Sequence, residues 1–301
     1  MALTPTPSEL RVTTLSVDSR FADQIYGTTA DYMIRLPATM RNVGRVGLTS
    51  IEVPQVIYVF SSGSSIANTT LSVTDSAGLV VIATATIGDG NYTGLELASE
   101  ITSVMLQLGV SGTCDYNPIS NRFSFLNTGA VPFTLGLQSP NAVVAARPRD
   151  WGLGFNLGFR TLSVTVGGGA VVATATPWLV PPAYLLLQLQ CPDMMENTLH
   201  RLADGSYVQA LAKIVLRSGT VCAGPCFYQV QYDDARNGLR KENVFVRPTS
   251  IAQLRIRLLD AYGAVVELGD TDWSATFEFT EVVSAGQYAA LNRAMPSLPG
   301  R

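Results

Sequence analysis

Charged side chains are scarce in this 301-residue sequence. They make up 14% of the chain, against about 25% in a typical soluble protein. Hydrophobic residues reach 47% and the mean hydropathy is +0.23, yet no run of about 18 apolar residues is present to cross a bilayer. The most apolar stretch, residues 178–189, is interrupted by Pro181 and Pro182. These absences argue against a membrane span and predict a soluble fold whose surface faces other protein.

A cationic surface for nucleic acid is missing as well. The formal net charge is −3 and the sequence pI is about 5.2. Lys213 and Lys241 are the only lysines among the 20 basic residues. Arginine suits ion pairs at interfaces because its planar group is weakly hydrated, although a GC-rich genome would produce the same preference. We therefore expect no nucleic-acid partner.

Cysteine is too rare for a disulfide framework. The four cysteines are Cys114, Cys191, Cys222 and Cys226. Three residues separate the last two, which is one too many for the redox spacing, and no histidine lies nearby to complete a zinc site. Buried, reduced thiols are the favoured interpretation. The first residues lack the basic and apolar regions of a signal peptide, which predicts synthesis in the cytosol.

The most informative stretch that is present covers residues 45–60. Its β-branched and aromatic composition predicts a strand in a packed sheet. Pro54 removes one backbone donor, so we expect two strand pieces joined at a kink. Its partners should come from beyond residue 184. Ile51 and Val53 should pack inside the sheet system, and Phe60 should mark the point where the chain leaves it.

Most of the remaining pattern also predicts strands. The predicted strands cover residues 10–17, 32–36, 71–73, 79–87, 113–116, 122–125, 133–137, 184–191, 207–216, 227–232, 243–247, 253–259, 265–268 and 274–283. Residues 193–205 are predicted to be a polar loop.

One helix is predicted. Thr93 and Glu96 have the spacing of a capping box, and Gly109 provides the stop. Between them runs an apolar stripe at helical spacing. The stripe consists of Leu95, Leu97, Ala98, Ile101, Val104, Met105 and Leu108.

These elements predict a mainly all-β fold. We expect a single jelly-roll β-sandwich formed by residues 1–65 and 178–301, with arms at both termini. Residues 66–177 should form a small inserted α+β subdomain followed by a loop-rich connection.

Residues capable of catalysis or metal binding occur singly or in turns. His200 is the only histidine, and an exposed loop histidine is favoured over a catalytic one. The pairs Asp233–Asp234 and Asp270/Asp272 could hold a cation or act in glycoside hydrolysis. Each pair lies in a predicted turn, where aspartate is favoured for backbone reasons. We assign no catalytic, cofactor-binding or metal-binding residue and expect no cofactor.

Two further stretches are candidate ligand-binding sites. Residues 167–169 are three glycines, but they lead into no lysine or capped helix, so a phosphate cradle is not favoured. Trp151, Phe155 and Phe159 alternate with glycine and could stack on sugars or bases. A loop packed against the sandwich is favoured for these aromatics.

The order of several motifs along the chain resembles one protein family. The motifs are Val17-Asp-Ser-Arg20, Tyr32-Met-Ile-Arg-Leu-Pro37, the run over residues 43–60, Ile87-Gly-Asp-Gly-Asn-Tyr-Thr93, the run over residues 247–263, and Asp272-Trp-Ser-Ala-Thr-Phe-Glu-Phe279. In this order they resemble the jelly-roll minor capsid and penton proteins of large icosahedral double-stranded DNA viruses of the nucleocytoplasmic group.

The resemblance implies a structural protein of the virion, made in the host cytoplasm, with no catalytic residues. It implies a penton that forms a homopentamer at the capsid vertex and contacts the major and other minor capsid proteins. Two alternatives stay open: a minor protein cementing major capsid trimers from beneath, and a glycan-binding host-attachment module that uses Trp151 to Phe159. An enzyme is the least favoured interpretation.

Overall fold

Antiparallel strands form most of the protein. The computed structural model describes residues 10–54, 56–63, 67–74, 81–140, 150–191, 198–202, 205–216, 227–231 and 241–283. Within these ranges the strands are β1 (Leu10–Asp18), β2 (Gln24–Tyr26), β3 (Thr28–Pro54), β4 (Thr70–Thr74), β5 (Val81–Thr86), β6 (Gly112–Asn117), β7 (Arg122–Asn127), β8 (Phe133–Gly136), β9 (Ser163–Val166), β10 (Val171–Val172), β11 (Tyr184–Gln190), β12 (Thr198–Arg201), β13 (Tyr207–Ala210), β14 (Ala212–Val215), β15 (Phe227–Gln231), β16 (Glu242–Leu259) and β17 (Ser274–Val282). The helices are α1 (Gly94–Gln107) and α2 (Leu153–Leu157), and a short 3-10 helix covers Ser19–Phe21.

The chain divides into two units. The first unit contains Met1–Ile57 and Pro182–Arg301, and the second contains Tyr58–Pro181. The insertion predicted from the sequence, residues 66–177, is shorter at both ends than this second unit.

The first unit is a sheet that curls around one core. Its strand order is β1-β17-β3-β16-β11-β14, and β2 and β15 also pair with β3. Tyr32 and Ile34 from the first half of β3 belong to the same buried cluster as Val46 and Ile51 from its second half. Because both halves of one strand face the same core, the sheet folds back on itself. The result is an all-β, jelly-roll-like sandwich.

Strand β3 is too long to cross this unit straight. Its 27 residues would span about 90 Å at about 3.3 Å per residue, roughly twice the diameter of a domain of this size. The strand changes partners instead of running straight. Residues 31–47 pair with β16 through several register shifts, residues 43–52 pair with β17, and residues 50–54 pair with β15. All three partners come from beyond residue 184, as predicted, and Ile51 and Val53 are fully buried.

The prediction of separate strands at residues 32–36 and 45–60 is wrong. A single strand runs through Pro37 and ends at Pro54, with no second piece reaching Phe60. Between Arg35 and Met40 the partner strand advances only from Gln253 to Ile251. Pro37 therefore lies in a bulge, where no ladder donor is required.

A second proline is accommodated in the same way. Residues 243–247 and 253–259 form one strand, β16, and the register shifts between Val244 and Thr249, around Pro248. The strand predicted at residues 265–268 is absent, because only Val265 makes a bridge, to Leu259. The chain turns at residues 260–263, where the Asp260 side chain accepts hydrogen bonds from the backbone N–H groups of Tyr262 and Ala264.

The second unit combines two small sheets with helix α1. One sheet has the order β5-β4-β8-β9 and the other has the order β10-β7-β6, with α1 packed against β6. The predicted hairpin is present as β4 and β5, although its turn, residues 75–80, lies outside the described residues. This unit has its own core, which includes Phe60, Phe123 and Phe125.

Helix α1 begins and ends as predicted. The Thr93 hydroxyl accepts from the N–H of Glu96, and the Glu96 carboxylate accepts from the N–H of Thr93. At the other end Gly109 has a φ of +73°, and the N–H groups of Gly109 and Val110 donate to the carbonyls of Leu106 and Met105. This is the Schellman arrangement.

The predicted apolar stripe of α1 is wrong at one position. Leu97, Ile101 and Met105 are buried, but Leu95 is 63% exposed. Leu106, which was not part of the predicted stripe, is 75% exposed. The helix therefore carries apolar side chains on both of its faces.

Candidate functional site

The most enclosed ionic contact in the described chain lies on the outer face of the sandwich. Asp31 is 4% exposed, and its two carboxylate oxygens accept from Nε and Nη2 of Arg255, both at 2.7 Å. The Arg255 guanidinium lies 4.1 Å from the centre of the Tyr26 ring. Its hydrogen bonds to Asp31 raise the pKa of Arg255. This pair ties β3 to β16, so its role is structural.

A second set of polar contacts lies at one end of the sandwich. Ser19 donates to Asp272 at 2.8 Å and accepts from the backbone N–H of Trp273 at 3.1 Å. The Trp273 indole N–H donates to the carbonyl of Thr29 at 2.8 Å, and its ring packs edge-on against Tyr32. These contacts join the ends of β1, β3 and β17.

The predicted aspartate pairs do not form a metal or catalytic site in the described chain. Asp272 is engaged by Ser19, and Asp270 occupies a turn with a φ of +57°. Asp270 therefore agrees with the favoured interpretation as a turn residue, whereas Asp272 lies after the turn. Asp233 and Asp234 lie outside the described residues. Among the residues that are described, no group of three or more metal-ligating side chains comes together.

The prediction of His200 in an exposed loop is wrong. The residue lies on strand β12, opposite Val208. Residues 193–205 were read as a loop because their composition is polar, yet part of this segment forms a hairpin with β13. The imidazole is partly buried, and among the described residues its Nε2 atom is buried without a hydrogen-bond partner. Burial lowers the pKa of His200, and the charges of Lys213 and Lys241 lower it further.

The depressed pKa of His200 predicts a loss of stability in mild acid. The unfolded chain gains a proton as the pH falls through about 6.5, before the folded imidazole does, so the free energy of unfolding decreases from there. Asp18 and Glu96 have lowered pKa values because of hydrogen bonds from Arg20 and Thr93, so their contributions disappear only at lower pH. Urea unfolding between about pH 5 and about pH 7.5 should show the slope in wild type and a smaller slope in His200→Gln. Equal slopes in the two proteins would contradict this assignment.

The aromatic loop is packed, as favoured, and its buried rings belong to the core of the second unit. Trp151 and Phe159 are 5% and 3% exposed. Phe159 stacks on Phe125 at 5.1 Å. Phe155 is partly exposed, and Arg160 covers its ring at 4.5 Å. Two of the three rings are therefore unable to stack on a sugar, which removes the basis of the glycan-binding alternative.

The remaining sequence candidates are the cysteines and the three consecutive glycines. Cys114 is buried, and burial raises its pKa, so it stays a thiol. Cys191 is partly buried, and Cys222 and Cys226 lie outside the described residues. Gly167 to Gly169 form the turn between β9 and β10. Neither described helix is long and apolar enough to cross a bilayer.

Exposed apolar side chains and charged residues are distributed unevenly between the two units. The described chain exposes eighteen large apolar side chains, and eleven of them belong to the second unit. In that unit only ten of 124 residues are charged and none is lysine, whereas 33 of the other 177 residues are charged. The shortage of charge noted in the whole sequence is therefore concentrated in residues 58–181. Sequence composition averaged over the whole chain concealed this difference.

Comparison with known proteins gives a fold likeness and nothing closer. No protein-family model matches the chain, and no curated protein matches it. Among solved structures the chain is similar to the mavirus penton protein, with 9% identity, a TM-score of 0.42, and coverage of 90% of this chain and 98% of that one. It is also similar to a chain in the Sputnik virophage structure, with 9% identity, a TM-score of 0.34, and coverage of 92% and 99%. Overlaps this loose assign neither a family nor a function.

Proposed function

We propose that this protein is a structural subunit of an icosahedral viral capsid, and specifically the penton at the fivefold vertex. The proposal is carried by two observations: charged side chains in the jelly-roll-like sandwich hold its strands together, and the second unit leaves most of the exposed apolar side chains at its surface. This arrangement suits a protein that functions by assembling with other protein subunits.

The use of the polar side chains supports a structural role. Asp31, Asp272 and Glu52 each accept a hydrogen bond from a partner distant in the sequence. Arg45 lies between the carboxylates of Glu242 and Glu278 and so links β3 to β16 and β17. Residues used in this way fix the curl of the sheet and leave little for binding or catalysis.

The edges of the sandwich support assembly. Strands β1 and β14 are the outer strands of the sheet order, and Val12 on β1 is 54% exposed. Two different edges are what a ring requires, because fivefold contacts join unlike surfaces of neighbouring subunits. Edge strands also offer backbone groups for pairing with another chain.

Purified protein should form closed rings of five. Mass photometry should give a species of five subunits, and negative-stain images should show fivefold views. Both should be measured between about 0.05 M and about 0.5 M NaCl, because salt screens exposed charges such as Arg11 on β1. Monomers alone at every concentration and salt, with no fivefold density from this chain in virions, would refute the proposal.

A virion map separates the penton from the cement protein. Density for this chain at the fivefold vertices is expected. Density beneath the major capsid trimers, and none at the vertices, would replace the penton with the cement role while keeping the capsid function.

A further inference from the structure

Helix α1 presents an apolar stripe to solvent. Leu95 and Leu106 are 63% and 75% exposed although both sit on a regular helix. They are separated by eleven positions, which places them about 16 Å apart along the axis and within about 20° around it. Ser99 and Ser103 lie between them and are also exposed. A helix face exposed to water normally carries charged side chains, so this face is unusual.

Two of the polar side chains on or beside this stripe, Ser103 and Glu96, are already hydrogen-bonded locally. The Ser103 hydroxyl donates to the carbonyl of Ser99 at 3.1 Å. Glu96 is the one charged side chain among the exposed positions of α1, and its carboxylate accepts from the backbone N–H and the hydroxyl of Thr93, both at 2.8 Å. Covering the stripe would therefore leave few donors or acceptors unpaired, which keeps the cost of desolvation low.

The order of side chains along the stripe is the same from either end, with a spacing of four positions from Leu95 to Ser99 and three from Ser103 to Leu106. A leucine stands at each end and a serine stands inside each leucine. When two copies of α1 pack antiparallel, Leu95 of each copy meets Leu106 of the other. The small serines meet in the middle, where close approach of two helices needs small side chains. Such self-complementarity is the property of a contact about a twofold axis.

The low charge of the second unit also favours a second copy of this chain as the partner. A charged partner would have to bury its ions against residues 58–181, which offer ten charged residues in 124. Burying an unpaired charge is costly. A second copy of the same unit presents an equally uncharged surface.

We propose that helix α1 is an isologous docking surface for α1 of a second copy of this chain. The contact goes beyond the fivefold ring, because it joins two copies through identical surfaces. In a population of rings it would pair one ring with another, and in a population of single subunits it would give dimers.

A charge-swap series in the full-length protein tests the twofold geometry. Leu95→Lys and Leu106→Glu each place an unpaired charge in the contact and should raise the concentration needed for pairing by about tenfold or more. The double variant Leu95→Lys/Leu106→Glu places opposite charges together at both ends, so its pairing should recover. Leu95→Lys/Leu106→Lys should not recover. Sedimentation over a concentration series measures all four variants.

Val172→Lys is the matched control. Val172 is 52% exposed in the same unit but lies on β10, at the opposite edge of the three-stranded sheet from β6, against which α1 packs. It should pair like wild type. The inference is overturned when the single leucine variants pair like wild type, or when the charge-swap variant pairs no better than the double lysine variant.

The outcomes separate this inference from the penton. Unpaired fivefold rings that are indifferent to Leu95 and Leu106 would refute the α1 contact alone. Dimers that depend on both leucines, without rings, would support the contact and refute the ring in solution. Monomers under all conditions would refute both.

Discussion

Replacing Trp273 by alanine should cost the first unit about 3–5 kcal/mol of its free energy of unfolding, the range for removing a large aromatic from a core. Trp273 is 2% exposed, packs on Tyr32 with ring centres 5.5 Å apart, and donates to the carbonyl of Thr29. The substitution therefore opens a cavity and removes a buried hydrogen bond. Urea unfolding followed by circular dichroism should show the transition of the first unit at lower urea.

The chain supplies a matched control in Trp178, which is 52% exposed and lies in the second unit. Trp178→Ala should cost less than about 1 kcal/mol, as surface substitutions generally do. The two substitutions delete the same atoms, so their difference reports burial. Losses of similar size would show that Trp273 does not anchor the sandwich.

Arg255→Met should destabilise the first unit by about 2–4 kcal/mol, because it leaves the carboxylate of Asp31 enclosed without its cation. The figure lies below that for a fully buried pair because 35% of the Arg255 side chain reaches solvent, against 6% for Asp31. The double variant Asp31→Leu/Arg255→Met should be more stable than Arg255→Met, since it also removes the stranded charge. Unfolding free energies of the two single variants and the double variant complete the cycle.

An exposed ion pair provides the comparison. Arg20 and Asp18 are 2.6 Å apart, closer than Arg255 and Asp31 at 2.7 Å, but 62% of the Arg20 side chain is exposed. Arg20→Met should produce only a small loss, well below that of Arg255→Met, because water and salt screen a surface pair. A loss equal to that of Arg255→Met would mean that distance, rather than enclosure, sets the strength of these pairs.

Local signals made much of the fold predictable. The capping box of Thr93 and Glu96 and the stop at Gly109 depend on residues a few positions apart, and both are present. The β4–β5 hairpin depends on neighbouring residues in the same way. The predicted all-β sandwich follows from the number and spacing of such strands.

The predicted strand ends at two prolines were wrong, because whether a proline ends a strand depends on its pairing with the partner strand. Pro37 and Pro248 both read as strand breaks, since proline donates no hydrogen bond. In the protein each lies where β3 and β16 slip in register, so no donor is missing. A register shift between residues more than 200 positions apart leaves no mark in local composition.

The surface was predictable only in part. Low overall charge correctly indicated a protein poor in ionic groups, but the concentration of that property in residues 58–181 depends on where the unit boundaries fall. Leu95 was included in the predicted stripe because it stands at helical spacing from the other apolar residues, three positions before Ala98. Its exposure depends on how α1 is rotated against β6, which the helix pattern alone does not fix.

The late position of the partners of β3 constrains how the chain is made. A ribosome releases β3 early, yet β16 and β17, which pair with most of its length, end at residues 259 and 282. Until they emerge, Val46, Leu48 and Ile51 have no native core to enter. A long apolar segment therefore stays exposed during translation. The high contact order slows folding, and chaperone binding would protect the segment during synthesis. The second unit, whose contacts close within residues 58–181, can fold while the first is still waiting.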